Sequence, residues 1–390
     1  MIKSKNKNYK YFLLLFLIVS VVIYFICLVA DFLIHRLDLW QMRDRNKIFY
    51  EMKTSARDEG FKSTNFKPVL WPKLELSEIH KDQIVHVAAQ PYEKVFTCNE
   101  GYGLIKFKND RFGFRNNDAV WDKIDFKDQT KIMFIGDSFT QGLCVGDKST
   151  IPEKFKKYNK KIIAYNLGMS GNNSIMNALV IKTFTKVINP KYLIIIIAAN
   201  DHQKFENDNI FRSQIYKENL EKKYFEKKNN SIYLSKELLF YIDERKRKFF
   251  QKKDVYFAAE NRIIKKLKKY LALSNVRKKT TQVINKKIFF LPSDTKTLIN
   301  IANQECSINK CIPIFTFIPS SKFWENDQLQ FQFKRHIERY LEINNNIYID
   351  LNGIIDPDNK KIYAIKGGHL SPESYEMISK KIYEKIKTLN

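Results

Sequence analysis

The residues best suited to chemistry are a serine and a histidine in two short glycine-containing segments. Ser138 lies in the segment 136–142, GDSFTQG, and His369 lies in the segment 367–373, GGHLSPE. A serine hydroxyl is a poor nucleophile until a neighbouring base accepts its proton, and histidine is the most common such base. We therefore interpret Ser138 as a candidate nucleophile and His369 as its candidate base. The plainer alternatives are a helix N-cap for Ser138 and an ordinary loop histidine for His369.

Two further segments carry hydrogen-bond donors. Gly171 lies in the segment 166–172, NLGMSGN, and Asn200 lies in the segment 198–201, AAND. Glycine permits a close approach of its backbone N–H, and the asparagine amide donates through its side chain. Fixed donors of this kind stabilise the negative charge that develops on a substrate carbonyl during acyl transfer. The two segments are therefore candidates for an oxyanion hole.

Five apolar runs must position these segments, and each is continuous rather than alternating, which is typical of a parallel sheet covered on both faces. Longer helix-compatible stretches separate the runs, which predicts repeated β-α-β units. An α/β sheet presents its ligands at the carboxyl ends of its strands, where the Ser138, Gly171 and Asn200 segments lie. The runs are 131–135, 161–167, 192–198, 313–318 and 347–351.

The four segments, in this order, resemble the SGNH, or GDSL-type, hydrolase superfamily. The resemblance covers about 131–205 and 310–390, and the segment 110–118, DRFGFRNND, is similar to one that often precedes the GDSF block in bacterial members. It implies an α/β fold, a flavodoxin-like three-layer sandwich with a mainly parallel five-stranded sheet. We refer to 110–118 below as the prelude segment.

The resemblance also implies roles for the residues. Ser138 is the nucleophile and His369 is the general base. The oxyanion hole consists of the Ser138 N–H, the Gly171 N–H and the Asn200 side chain, and no metal or cofactor is needed.

The last segment departs from the family pattern, which usually carries Asp two or three residues before the histidine. Lys366 and Gly367 stand there instead. A triad acid fixes the tautomer of the base and stabilises its cation. The candidates for this acid are upstream aspartates, and a backbone carbonyl that orients a Ser-His dyad is an equal alternative. The aspartates are Asp350, Asp356 and Asp358.

The N-terminus predicts a membrane anchor. Phe12 to Ala30 are uncharged and mostly apolar, which matches the length of a transmembrane helix. Lysines precede the run, so the short tail is expected in the cytoplasm and the rest of the chain outside. The run is longer than the apolar region of most cleaved signal peptides. We therefore predict a single-pass protein of the inner or plasma membrane with its catalytic domain in the periplasm.

The predicted organisation has three parts. Residues 1–34 are the tail and anchor, 35–125 are a juxtamembrane connector and N-terminal extension, and 126–390 are the hydrolase-like domain. A basic helical insertion is expected at about 211–290, because roughly 23 basic and 8 acidic residues lie between 211 and 287. It is interpreted either as solvated helix faces or as a surface for anionic glycan or lipid.

Four cysteines lie outside the predicted anchor. Cys306 and Cys311 are five residues apart and form the favoured pair, which leaves Cys98 and Cys144 as a second one. Two disulfides are consistent with an oxidising compartment, and four unpaired thiols are the alternative.

Composition narrows the class of protein. The chain has 390 residues, 44% of them apolar, which excludes a wholly disordered protein. The net charge of +26 comes mainly from lysines spread along the chain, and no nucleic-acid-binding motif accompanies it. The leading hypothesis is a membrane-anchored serine esterase that acts on an ester of a cell-envelope or extracytoplasmic substrate, which is a small molecule, a lipid or a glycan. The alternatives are an O-acetyltransferase for cell-surface polysaccharide and a non-catalytic glycan-binding or assembly protein with a decayed site.

Overall fold

The computed structural model describes residues 3–41, 59–61, 84–124, 126, 128–202, 208–228, 231–259, 271–273, 276–277, 280, 290–321, 327–356, 359, 361–365 and 367–389. Backbone contacts divide the chain into two compact units. The first contains Met1–Asp44 and Lys253–Lys286, and the second contains Arg45–Lys252 and Lys287–Asn390. All the candidate site residues belong to the second unit.

Among its described residues, the first unit contains the long helix α1, from Lys3 to Gln41. Its segment Tyr11–Leu33 is long and apolar enough to cross a membrane, by length and composition, and a signal sequence near an N-terminus has the same character. In the same unit the Asp31 carboxylate accepts a hydrogen bond from the Val276 N–H at 2.8 Å.

The second unit contains nine strands and nine helices among its described residues, besides short 3₁₀ turns. The strands are β1 Lys94–Phe96, β2 Lys106–Lys108, β3 Thr130–Ile135, β4 Ile162–Asn166, β5 Tyr192–Ala198, β6 Phe225–Lys228, β7 Ser231–Leu234, β8 Ile312–Ile318 and β9 Ile347–Ile349. The helices are α2 Ser138–Gln141, α3 Ile151–Phe155, α4 Ser174–Ile188, α5 Asp208–Ile215, α6 Leu220–Tyr224, α7 Lys236–Ala259, which continues beyond the boundary at 252, α8 Ser293–Asn309, α9 Asp327–Ile343 and α10 Pro372–Lys387.

Five parallel strands form the central sheet in the order β4-β3-β5-β8-β9. Counted along the sheet's own strands, this order is 2-1-3-4-5, which is the flavodoxin-like order. The predicted α/β fold class and five-stranded sheet are confirmed. The strand order reverses at β3, so the crevice between the carboxyl ends of β3 and β5 is the expected ligand position.

The sheet is buried on both faces, as the continuous apolar runs predict. Successive side chains of β3 point to opposite faces, so Met133 and Ile135 belong to one core and Ile132 and Phe134 belong to the other. The first core includes side chains of α4, α8 and α9, and the second includes side chains of α3 and α10. The unit is thus a three-layer sandwich that fixes the strand ends relative to one another.

Two small hairpins accompany the sheet. β1 and β2 pair antiparallel in the segment predicted as an extension, where Trp121 also contributes fully buried surface to the first core. β6 and β7 pair antiparallel in the insertion, for which only helices were expected. In β7 the buried positions alternate, with Ile232 and Leu234 inside. This period of two is that of a strand, so the insertion is not wholly helical.

Candidate active site

Ser138 begins α2 directly after the sharp turn that ends β3. A side chain at Gly136 would lie 2.7 Å from the Ile196 carbonyl oxygen, so the turn requires glycine. Asp137 caps the helix, since its carboxylate accepts the Phe139 N–H at 2.9 Å. The turn therefore presents Ser138 at the carboxyl edge of the sheet, with 9% of its surface exposed.

His369 approaches Ser138 from the loop before α10. Ser371 caps this helix by accepting the Ser374 N–H, and Pro372 occupies its first turn. The His369 Nε2 lies 2.9 Å from the Ser138 Oγ. The candidate base is therefore within hydrogen-bonding distance of the candidate nucleophile.

The second nitrogen of the His369 ring contacts a carboxylate that the sequence analysis did not consider. Glu100 places its Oε1 3.0 Å from the Nδ1, and its Oε2 accepts the His369 backbone N–H at 3.1 Å. Glu100 lies in the loop between β1 and β2, with 8% of its side chain exposed. A proton on Nδ1 donated to this carboxylate leaves Nε2 to accept from Ser138, which is the arrangement of a Ser-His-acid triad.

Gly367 leaves room beside His369 for a carboxylate from another segment of the chain. A side chain at Gly367 would lie 1.8 Å from the carboxyl carbon of Glu100. One of the two positions at which the resemblance expects an acid thus has no side chain, and the Glu100 carboxylate occupies the space beside it. In the sequence, the absence of an aspartate before His369 indicates that another group takes this place. It does not indicate which residue supplies that group.

Among the described residues, no aspartate of the group expected to supply the acid contacts the His369 ring. The Asp350 carboxylate is 3.1 Å from the Lys334 Nζ and accepts the Asn352 N–H at 3.0 Å. Asp356 is exposed beyond the end of β9, and Asp358 lies outside the described residues. The carboxylate at the His369 Nδ1 is that of Glu100, so the expectation of an acid from this group is corrected.

Gly171 lies in a loop bonded to the turn that carries Ser138. The Ser170 N–H donates to the Gln141 Oε1 at 3.0 Å, and the Met169 N–H donates to the Gly136 carbonyl at 3.0 Å. Gly171 has a φ of +76°, a conformation that favours glycine. The loop after β4 is thereby placed beside the start of α2.

Asn200 follows β5 in a 3₁₀ turn, Ala199–His202, and its side chain lies outside the described residues. The turn is closed by Asp201, whose carboxylate accepts the Ala198 N–H at 2.9 Å. Burial and the neighbouring charge of Asp137 raise the pKa of Asp201 well above its ordinary value. Both effects disfavour the charged form of this carboxyl next to the turn that carries Ser138.

Both cysteine pairs considered from the sequence are disulfide-bonded. Cys306–Cys311 lies at the end of α8, and Cys98–Cys144 lies beside the triad, with Cα atoms 5.4 Å apart. One atom each of Glu100, Cys144 and His369 lies within 4.8 Å of the others, a spacing that suits a metal ion. Metal ligation requires a thiolate, and in the disulfide the Cys144 sulfur is not one. These three residues are therefore not a metal site in this state.

The prelude segment braces two of these loops from the side. The Asn116 side chain exchanges hydrogen bonds of 2.8 and 2.9 Å with the backbone of Asn166 at the end of β4. Arg115 donates to the Val145 carbonyl at 2.8 Å and to the Asp147 carboxylate at 2.7 Å. These contacts fix the loops after β4 and α2, so the prelude segment supports the site rather than joining its chemistry.

No family model and no curated protein match the sequence. Solved structures are similar to it at low identity. For each of the following three, the first coverage is the share of this chain and the second is the share of the other chain. A lipase/acylhydrolase from Enterococcus faecalis has 13% identity, 67% and 96% coverage and a TM-score of 0.38. A lipolytic protein of the G-D-S-L family from Veillonella parvula has 12% identity, 65% and 97% coverage and a TM-score of 0.36. A GDSL-like lipase from Bacteroides thetaiotaomicron has 15% identity, 67% and 89% coverage and a TM-score of 0.35.

Proposed function

We propose that this protein is a serine acyl hydrolase of SGNH type that cleaves an ester through an acyl-enzyme on Ser138. The observation that carries the proposal is the chain of contacts from the Ser138 Oγ to the His369 Nε2 at 2.9 Å, and from the His369 Nδ1 to Glu100 at 3.0 Å. The three residues come from three distant parts of the sequence. Their convergence at the carboxyl edge of a flavodoxin-like sheet suits catalysis better than a structural role.

The proposed reaction has two steps. His369 accepts the Ser138 proton at Nε2 while the Oγ attacks the ester carbonyl, and the N–H groups of Ser138 and Gly171 with the Asn200 amide stabilise the oxyanion. The tetrahedral intermediate expels the alcohol, which takes the proton from His369. Water then donates a proton to His369 and attacks the acyl-enzyme. As the second tetrahedral intermediate collapses, the bond to the Ser138 Oγ breaks, the Oγ takes the proton back from His369, and the carboxylic acid leaves. Glu100 stabilises the imidazolium that forms in each step.

The same proposal includes the location of the reaction. The apolar segment Tyr11–Leu33 supports a membrane anchor, and the two disulfides support an oxidising compartment such as the periplasm. We infer that the substrate is an ester of the cell envelope. Protease added to spheroplasts is expected to degrade the chain after α1, and a domain protected until the membrane is lysed would contradict this location.

The alternative of a decayed, non-catalytic site rested on the missing triad acid. Glu100 now supplies a carboxylate at the His369 Nδ1, which removes that support. An O-acetyltransferase would use the same acyl-enzyme with a sugar hydroxyl in place of water. It differs only in the second step, so labelling of Ser138 without ester hydrolysis would indicate it.

The test is labelling of the full-length chain in detergent micelles with a fluorophosphonate, followed by intact-mass measurement. One adduct is expected on the wild type and on Ser149→Ala, a control serine outside the triad. Ser138→Ala is expected to abolish the adduct, and His369→Ala to reduce it severely, because the hydroxyl then lacks its base. A folded wild type without an adduct would refute the proposal.

A further inference from the structure

Glu100 is carried by a small hairpin that is separate from the main cores. β1 and β2 pair over three residues each, and Val95, Ile105 and Phe107 form their own apolar cluster. A two-stranded hairpin of this size is marginally stable by itself. The position of Glu100 relative to His369 therefore depends on what fastens the hairpin loop to the rest of the site.

The fastening is covalent and lies two residues before Glu100. Cys98 is bonded to Cys144, which follows Ser138 by six residues in the loop after α2. Beside this bridge the Thr97 Oγ1 donates to the Leu143 carbonyl at 2.7 Å. The disulfide thus joins the loop of the acid directly to the loop of the nucleophile.

The disulfide also touches the base. The Cys144 sulfur lies 3.3 Å from the His369 Nδ1, the same atom that contacts Glu100. On the other side of Glu100, Gly101 and Gly103 have φ values of +110° and +85°. Glycine adds little stiffness to a loop, so the covalent restraint on Glu100 comes from the bridge that precedes it.

We infer that the Cys98–Cys144 disulfide is a redox-dependent positioning element that fixes the Glu100 carboxylate on His369. This inference rests on the proposed function. A dithiol reductant supplies two electrons and two protons, the S–S bond breaks into two thiols, and the reductant becomes a disulfide. The hairpin loop then loses its covalent link, the Glu100 carboxylate is displaced from its position on the Nδ1 by about 1 Å, and ester turnover falls. Ser138 and His369 stay in place, since β3, α2 and α10 position them.

The first measurement compares kcat, KM and the pH–rate profile of the full chain for a small acetyl ester. Cys98→Ser with Cys144→Ser is expected to lower kcat about 10²-fold, the effect of a misplacement of about 1 Å, with little change in KM. The pH–rate profile should move toward that of Glu100→Gln, because the carboxylate contact at the His369 Nδ1 is weakened in the first variant and absent in the second. The matched control, Cys306→Ser with Cys311→Ser, removes the distant disulfide and should keep wild-type values.

A second measurement does not depend on the folding of the first variant. In the folded Cys306→Ser, Cys311→Ser protein the remaining disulfide is Cys98–Cys144, and dithiothreitol is expected to lower kcat reversibly while the circular dichroism spectrum stays unchanged. Glu100→Ala with Gly367→Asp puts an acid on the loop of His369 itself. Where this variant is active, its kcat should be insensitive to dithiothreitol.

The outcomes separate the two claims. If the oxidised wild type neither labels at Ser138 nor hydrolyses an ester, the proposed function fails and the inference falls with it. If the wild type is active and both loss of the Cys98–Cys144 disulfide and its reduction leave kcat and the pH–rate profile unchanged, the inference is overturned while the proposed function stands.

Discussion

The polar side chains of the site are arranged around one imidazole ring. Ser138 approaches its Nε2, Glu100 approaches its Nδ1, and the sulfur of Cys144 lies beside the same Nδ1. A carboxylate on this side sets the tautomer and stabilises the cation whichever segment supplies it. The proposed chemistry therefore requires a carboxylate beside the His369 Nδ1. Gly367 leaves this space open to a residue that is distant in the sequence.

The first prediction at this scale concerns Glu100. Glu100→Gln is expected to lower kcat by about 10³ to 10⁴-fold, because the amide neither fixes the tautomer nor stabilises the imidazolium. KM should change little, since the group acts on the base rather than on the substrate. Asp350→Asn is the matched control and should keep the wild-type rate, because Asp350 pairs with Lys334. Equal losses in the two variants would argue against Glu100 as the acid.

At the scale of elements, loops after separate strands are fastened to one another across the edge of the sheet. The loop after β4 is bonded to α2 through Ser170 and Gln141, and the loop after α2 is bonded to the prelude segment through Arg115. Arg115 is buried, and its guanidinium also lies over the Phe107 ring at 4.4 Å. One side chain thus contacts both the nucleophile's loop and the hairpin of Glu100.

This double contact leads to a prediction about Arg115. Arg115→Met is expected to leave buried carbonyls unsatisfied, to lower the free energy of unfolding by about 2 kcal/mol and to lower kcat of the folded protein. Arg111→Met is the control, since Arg111 is also buried but pairs with Asp118 and Asp122. It should reduce stability while kcat stays unchanged. Circular dichroism melts measure the stability and ester kinetics measure kcat. A loss of kcat in Arg111→Met but not in Arg115→Met would contradict the role assigned to Arg115.

At the scale of the second unit, residues before the sheet belong to the core. Phe112, Phe114 and Trp121 are fully buried in the same cluster as the strands. Their backbone is organised by Asp110, which accepts N–H groups of Phe112 and Phe114 and the Trp121 Nε1–H at 2.8 to 2.9 Å. The segment before the sheet is therefore part of the same folded unit as the sheet.

The buried Asp110 predicts how stability depends on pH. Burial raises its pKa from 3.8 to about 6, so between these values the folded protein binds the proton more tightly than the unfolded chain. The contribution of this group is greatest below 3.8 and is lost as the pH rises through 6. Urea midpoints should show a smaller decrease over this interval in Asp110→Asn than in the wild type. Identical pH dependence in the two proteins would exclude Asp110 as the source.

Much of the architecture was accessible from the sequence. The five continuous apolar runs predict the sheet, because burial on both faces leaves no polar alternation, and the observed strands lie in or overlap those runs. The segments that end β3, β4 and β5 and precede α10 predict which loops meet at its carboxyl edge. These are local properties, since each depends on the residues of one strand or one turn.

The sequence by itself therefore determined the fold class and which serine and which histidine are candidates for the site. Only the tertiary structure decided that Glu100 lies on His369 and that Cys98 is joined to Cys144 next to it. Glu100 is 269 residues away from His369 along the chain, and no local pattern marks it. Its role as candidate acid comes from the packing of the hairpin beside the sheet and from the space that Gly367 leaves, and both are properties of the folded chain.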